Sequence, residues 1–190
     1  MKYVIVLVFV IVLLLTGCSS LPKDMEGKGK NAQSRTVEAF EGLQTSDMDK
    51  LLLLSYGGLD ESEKYFIGSQ IGQKVLSYMT FNIEKAELKE ENENVKICEV
   101  TITIKSLDMD DIIESYEKIA KEKGQSGTGI VNDLLLEAIE MSKDETEEKQ
   151  VKLMAYLYPD IDVWRINIDK NVFEALFPEY DDYVKWRYGE

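Results

Sequence analysis

Among the side chains of this 190-residue sequence that can act as nucleophile, ligand or proton carrier, Cys18 comes first, at the end of an uncharged run in "LLLTGCSS". Its thiol is the one group in that stretch nucleophilic enough to take an alkyl group through sulfur. Histidine is absent from the sequence. That excludes Ser-His-Asp and Cys-His nucleophilic catalysis and removes the commonest transition-metal ligand. Carboxylate, lysine, tyrosine and serine remain for any other chemistry. Acidic residues cluster at Asp60–Glu63, Glu90–Glu93, Asp108–Asp111, Asp144–Glu148, Asp160/Asp162 and Glu179–Asp182. Around Asp108 and Asp160 the glycine and distal glutamate of an EF-hand are missing, so helix capping and solvation account for these groups and no metal is expected. "GQSGTG" has the dinucleotide-loop glycines in the wrong order and follows a helical segment, so no cofactor is expected either.

The meaning of Cys18 depends on what precedes it. After Met1 and Lys2, Tyr3 to Leu15 gives 13 residues without a charge. A membrane-spanning helix needs roughly 20, so residues 1–17 read as a secretory signal peptide. Leu15-Thr16-Gly17-Cys18 resembles the lipobox of bacterial lipoproteins. The resemblance implies cleavage after Gly17, with Cys18 left as an acylated, palmitate-bearing first residue. Two or three acyl chains anchor a protein where one alone is marginal. The expected location is the cell membrane, facing outside the cytoplasm. Residues 18–30, with "SSLPKDMEGKGK", then read as a flexible tether.

Composition limits the partners. The net charge of −14 becomes about −15 once Lys2 is removed. Such a surface repels phosphate backbones, so nucleic acid is not an expected partner, and membrane contact must come through the acyl groups. Cys98 alternates with Val100, Ile102 and Ile104 in "VKICEVTITIK" and is expected to be a buried, inert thiol.

The pattern along residues 31–178 predicts one α+β domain. Helical spacing marks "SRTVEAFEGLQ". "SDMDKLLLLSYGG" has Ser46 as its expected N-cap and Gly57-Gly58 as its stop. Ile67, Ile71, Val75 and Met79 suggest one long helix from Asp60 to Met79. The period then becomes two. Phe81–Lys89 and Lys96–Lys105 form an expected hairpin, with Glu99, Thr101, Thr103 and Lys105 facing water. "SLDMDDIIESYEKIAKEKG", capped by Asp108, and "IVNDLLLEAIEM" form a helical insertion. A second hairpin, Lys149–Tyr158 and Val163–Asp169, precedes the short helix "NVFEALF". The expectation is therefore N-terminal helices packed on a curved antiparallel sheet of about four strands. Residues 179–190 read as an aromatic and acidic tail.

This order, with the strand-to-helix step "VTITIKSLDMDDII" and the ending "VWRINIDKNVFEALF", resembles a family of uncharacterised lipoproteins of Gram-positive bacteria. Their domain is similar to the cone-shaped nuclear-transport-factor-like, or cystatin-like, fold. One departure is the turn before Trp164, Pro-Asp-Ile-Asp, where a glycine-containing turn is expected.

The resemblance implies a hollow between curved sheet and helices. Tyr65, Tyr78, Tyr156 and Trp164 are the candidates to line it as a pocket. Tyr180, Tyr183, Trp186 and Arg187 in the tail are residue types favoured at protein interfaces and are candidate partner contacts. The expected function is non-enzymatic binding of an envelope protein or a small ligand. The alternative is a hydrolase or isomerase using a carboxylate or tyrosine in the hollow.

Overall fold

The computed structural model describes residues 29–125, 129–158 and 162–189. Cys18 and the expected signal peptide lie outside the described residues. Among the described residues five strands, β1 (Leu54–Ser55), β2 (Thr80–Glu91), β3 (Lys96–Leu107), β4 (Thr146–Tyr158) and β5 (Val163–Asn167), form one sheet in the order β1-β5-β4-β3-β2, with helices packed on one face. This is an α+β domain, as the sequence pattern implies.

The described residues begin with α1 (Gly29–Thr45), whose inward residues Ala32, Ala39, Phe40 and Leu43 are fully buried. The next helix is much shorter than expected. Asp47, not Ser46, caps α2 (Met48–Leu51), its carboxylate accepting from the Asp49 and Lys50 amides at 3.1 and 3.4 Å. The following residues turn extended and form β1 (Leu54–Ser55), an edge strand parallel to β5 (Val163–Asn167). Asn167 holds this edge in place, its Oδ1 accepting from the Gly57 amide at 2.9 Å and from the Ser55 hydroxyl at 3.3 Å.

The helix expected over 60–79 is broken into α3 (Glu61–Gly68) and α4 (Gln70–Leu76). Ser69 sits between them in extended conformation, φ −74° and ψ 158°. Its hydroxyl donates to the Phe66 carbonyl at 2.8 Å and accepts from the Gly72 amide at 3.0 Å. A serine that bonds the backbone on both sides competes with the helical ladder, and this one ends one helix and caps the next. Because only one residue is interrupted, the four-residue apolar spacing survives the break.

Strand β2 (Thr80–Glu91) pairs antiparallel with β3 (Lys96–Leu107) through a turn in which Asn92 Oδ1 accepts from the Asn94 and Val95 amides. Two irregularities, at Ile83/Lys85 and Leu88/Glu90, interrupt that pairing. On β3 the expected alternation appears: Cys98, Val100, Ile102 and Ile104 are fully buried and Lys105 is exposed. Thr101 departs from it, being buried although it lies on the outer face. Burial also pushes the Cys98 thiol above its ordinary pKa.

The helical insertion consists of α5 (Met109–Glu122), capped by Asp108, and α6 (Asn132–Met141). Strand β4 (Thr146–Tyr158) follows and pairs with both β3 and β5. In the β4–β5 turn, Asp162 adopts φ +45°, the left-handed conformation a glycine would have supplied. Helix α7 (Lys170–Leu176) covers β3 and β4.

The tail is a correction to the expected layout. Residues 180–188 are a helix, α8 (Tyr180–Tyr188), packed on α5. Tyr180 and Tyr183 belong to the core, so the domain does not end at 178.

Candidate functional site

A continuous apolar core lies between sheet and helices. Phe40 from α1, Val75 and Leu76 from α4 and Phe173 from α7 are fully buried against Val100, Ile102 and Leu153. The four residues expected to line a hollow do not converge. Trp164 is buried in this core, opposite Leu157 on the inner face of the sheet. Tyr156 precedes Leu157 and so points to the opposite face, where it shares a shallow depression with Tyr56, Tyr158 and Arg165. Tyr78 is half-buried after α4, its hydroxyl bonded to Glu140 and to Lys74 Nζ, the latter at 2.7 Å. Those two groups hold the Glu140 carboxyl down at about 2. Tyr65 stands on α3, 80 % exposed.

The aromatic tail is divided by α8. Tyr180 and Tyr183 turn inward onto Phe66, with ring centroids 4.8 and 5.4 Å away. Phe173 and Phe177 complete this cluster. Contacts of this kind add about 0.5–1.5 kcal/mol each beyond area burial. Tyr180 and Tyr183 are buried in their own domain. Trp186 is half-buried, packs edge-on against Tyr116 at 5.1 Å and donates to Glu117 Oε1 at 3.3 Å. Arg187 lies beside Tyr183 and reaches α6. One terminal nitrogen donates to the Tyr183 hydroxyl at 3.0 Å and the other to Asn132 Oδ1 at 2.9 Å.

Arg187 and Tyr65 meet at one opening. A cleft of about 640 Å³ lies between α8 and the break separating α3 from α4. Its floor is apolar and aromatic: Phe66, Ile71, Tyr180 and Tyr183. Tyr65 and Tyr188, 80 % and 66 % exposed, are its projecting rings. Ser62, Ser69, Gln70 and Asn132 add hydrogen-bonding groups. The extended residue at Ser69 redirects the chain between the two helices that contribute this wall.

The electrostatics of the cleft differ from the rest of the molecule. The sequence has 36 acidic residues, yet among the described residues that line the opening there is no carboxylate and Arg187 is the one cation. Both acceptors holding the guanidinium are neutral, so its charge is oriented without being cancelled. Burial pushes the phenols of Tyr180 and Tyr183 up to about 12. Both therefore stay protonated at neutral pH and can donate hydrogen bonds.

Tyr65, Tyr180, Tyr183 and Arg187 are thus gathered here from two separate sequence-based groups, while Tyr78, Tyr156 and Trp164 lie elsewhere. Asn132, Ser62, Ser69 and Gln70 carry no sequence signal of their own. The helix break that assembles them depends on tertiary contacts. Among the described residues, no group of three or more cysteine, aspartate or glutamate side chains is placed to hold a metal ion. No described helix is long and apolar enough to cross a membrane.

Comparison with known families finds no family model that matches this chain. No curated protein matches it either. Among solved structures, a Bacillus subtilis protein assigned as a lipoprotein, ycdA, is similar over 76 % of this chain and 45 % of its own, at 14 % identity and a TM-score of 0.36. This chain thus spans less than half the length of that protein.

Proposed function

We propose that this chain is a lipid-anchored extracytoplasmic domain that binds a protein partner or a small ligand at the cell envelope without carrying out chemistry on it. Acyl groups on Cys18 provide the membrane contact, and the domain is of the cone-shaped, nuclear-transport-factor-like kind. The observation that carries the binding half is the preformed cleft beside α8, with an aromatic floor and a positioned guanidinium. Clefts of a few hundred cubic ångströms with a few placed polar groups are the usual form of ligand sites. The anchor half rests on the sequence from Leu15 to Cys18.

Cells expressing the chain, fed an alkyne-bearing fatty acid, test the anchor. The expected result is a labelled, membrane-bound protein. Cys18→Ala is expected to abolish the label and to leave an untrimmed precursor. A fatty-acid label retained on the Cys18→Ala protein would overturn lipidation at that residue.

A further inference from the structure

We propose that the α8 cleft binds a small monocarboxylate carrying a ring, with the carboxylate on Arg187 and the ring against Tyr65 and Tyr188. The inference deepens the binding reading above and rests on it. A guanidinium is a planar fork of five N–H donors. Tyr183 Oη and Asn132 Oδ1 each take one of its N–H groups, and its Cζ lies 5.8 Å from the ring centroids of Tyr183 and Tyr188. The remaining donors are what a carboxylate needs for a bidentate, charge-assisted pair. Among the described residues no carboxylate of the chain forms an ion pair with Arg187, although many other cations have such partners.

The charge of the occupant follows from the lining. Among the described lining residues Arg187 is the one charged group, and the Asp60 carboxylate lies just behind Ser62, so a single negative charge is matched whereas a dianion leaves one charge unmatched in an acidic molecule. The ring follows from the walls. Tyr65 and Tyr188 are large side chains left exposed beside an aromatic floor, a platform for the flat face of a sugar or an aromatic acid. Gln70 supplies hydrogen-bonding groups for ring substituents.

Calorimetric titration of the full chain in detergent micelles tests this, with D-glucuronate, benzoate, D-glucose and glucose 6-phosphate as probes. Saturable binding of glucuronate or benzoate, with glucose at least about tenfold weaker, is the expected result. The better of the two acids identifies the ring as sugar or aromatic. Arg187→Gln is expected to weaken the acid about tenfold or more, and Arg187→Lys to restore only part of the loss. Tyr188→Ala, remote from the core, is expected to weaken it severalfold with the thermal midpoint unchanged. Glucose binding as tightly as glucuronate, the phosphate ester binding more tightly than either acid, or an Arg187→Gln chain with unaltered affinity would each overturn the proposal. So would no saturable binding of either acid. That last result leaves the lipid anchor untouched, because fatty-acid labelling reads it separately.

Discussion

Phe66 and Gly72 approach so closely that a β-carbon on Gly72 would lie 2.0 Å from the Phe66 carbonyl oxygen. The contact spans the break at Ser69, and only a residue without a side chain allows it. Gly72→Ala is therefore expected to destabilise the domain by about 2–3 kcal/mol, since the clash is with backbone and cannot be relieved by a rotamer change. In a protein of this size that corresponds to a fall of roughly 5–10 °C in the thermal midpoint followed by circular dichroism. Gly68→Ala is the internal control, because nothing lies within 4 Å of its β-position. It is expected to be neutral or stabilising by up to about 1 kcal/mol. Equal effects of the two substitutions would contradict the close approach.

The clasp of Asn167 on the edge strand predicts a local response. Asn167→Ala removes the acceptor for Gly57 N and the Ser55 hydroxyl, at a cost of about 1 kcal/mol. Hydrogen exchange is the measurement. The amides of Ile166 and Ile168, bonded to the carbonyls of Leu53 and Ser55, are expected to exchange faster, while those of β3 keep their protection. Uniform acceleration throughout the sheet would show that β1 is not held locally.

Glu63 is a buried carboxylate with two roles. It completes the capping box of α3 by accepting from the Asp60 amide at 2.9 Å, and it ion-pairs with Lys170 of α7. Lys170→Met leaves the carboxylate without its cation and is expected to cost about 1–2 kcal/mol, less than a fully buried pair because Lys170 is 45 % exposed. Glu63→Gln keeps an acceptor for the cap and is expected to cost less. Denaturant unfolding of both variants and of the double mutant gives the coupling, and a coupling of zero would remove the pair from the account.

The alkaline limb of stability follows from Tyr180 and Tyr183. Both phenols stand at about 12 in the fold and near 10 when unfolded, so the unfolded state releases its protons first as pH rises. Their contribution is complete below pH 10 and is lost between about 10 and 12. Lys170, raised by its bond to Glu63, acts in the same direction above its ordinary value. Absorbance at 295 nm is expected to show a late-titrating phenol fraction that shrinks in Tyr183→Phe. A midpoint that holds constant from pH 10 to 12 would contradict this.

What the sequence made legible depended on how local its causes are. The alternation from Cys98 to Ile104 is written into β3 itself, and the strand forms as read. Leu51 to Leu54 is a uniformly apolar run, equally suited to helix and strand. What makes Leu54 a strand is pairing with Ile166, more than a hundred residues away. The spacing of Ile67, Ile71, Val75 and Met79 runs unchanged across Ser69, so periodicity has no means of revealing the break. The tail's aromatic residues were conspicuous, but the direction they face is set by Phe66, Phe173 and Phe177, on other elements. For the cleft the same logic holds: Arg187 was visible from its company, whereas Asn132 becomes relevant only once α6 lies beside α8.

Strand β2 forms the far border of the sheet, twelve residues long, and it is interrupted twice and carries Lys85, Glu87, Lys89 and Glu90. A long, regular, uncharged border would be a template on which another copy could add its own strand. Where copies are crowded together, such borders meet often. The irregular, charged border makes strand addition unfavourable, so the molecules can reach high local density without polymerising.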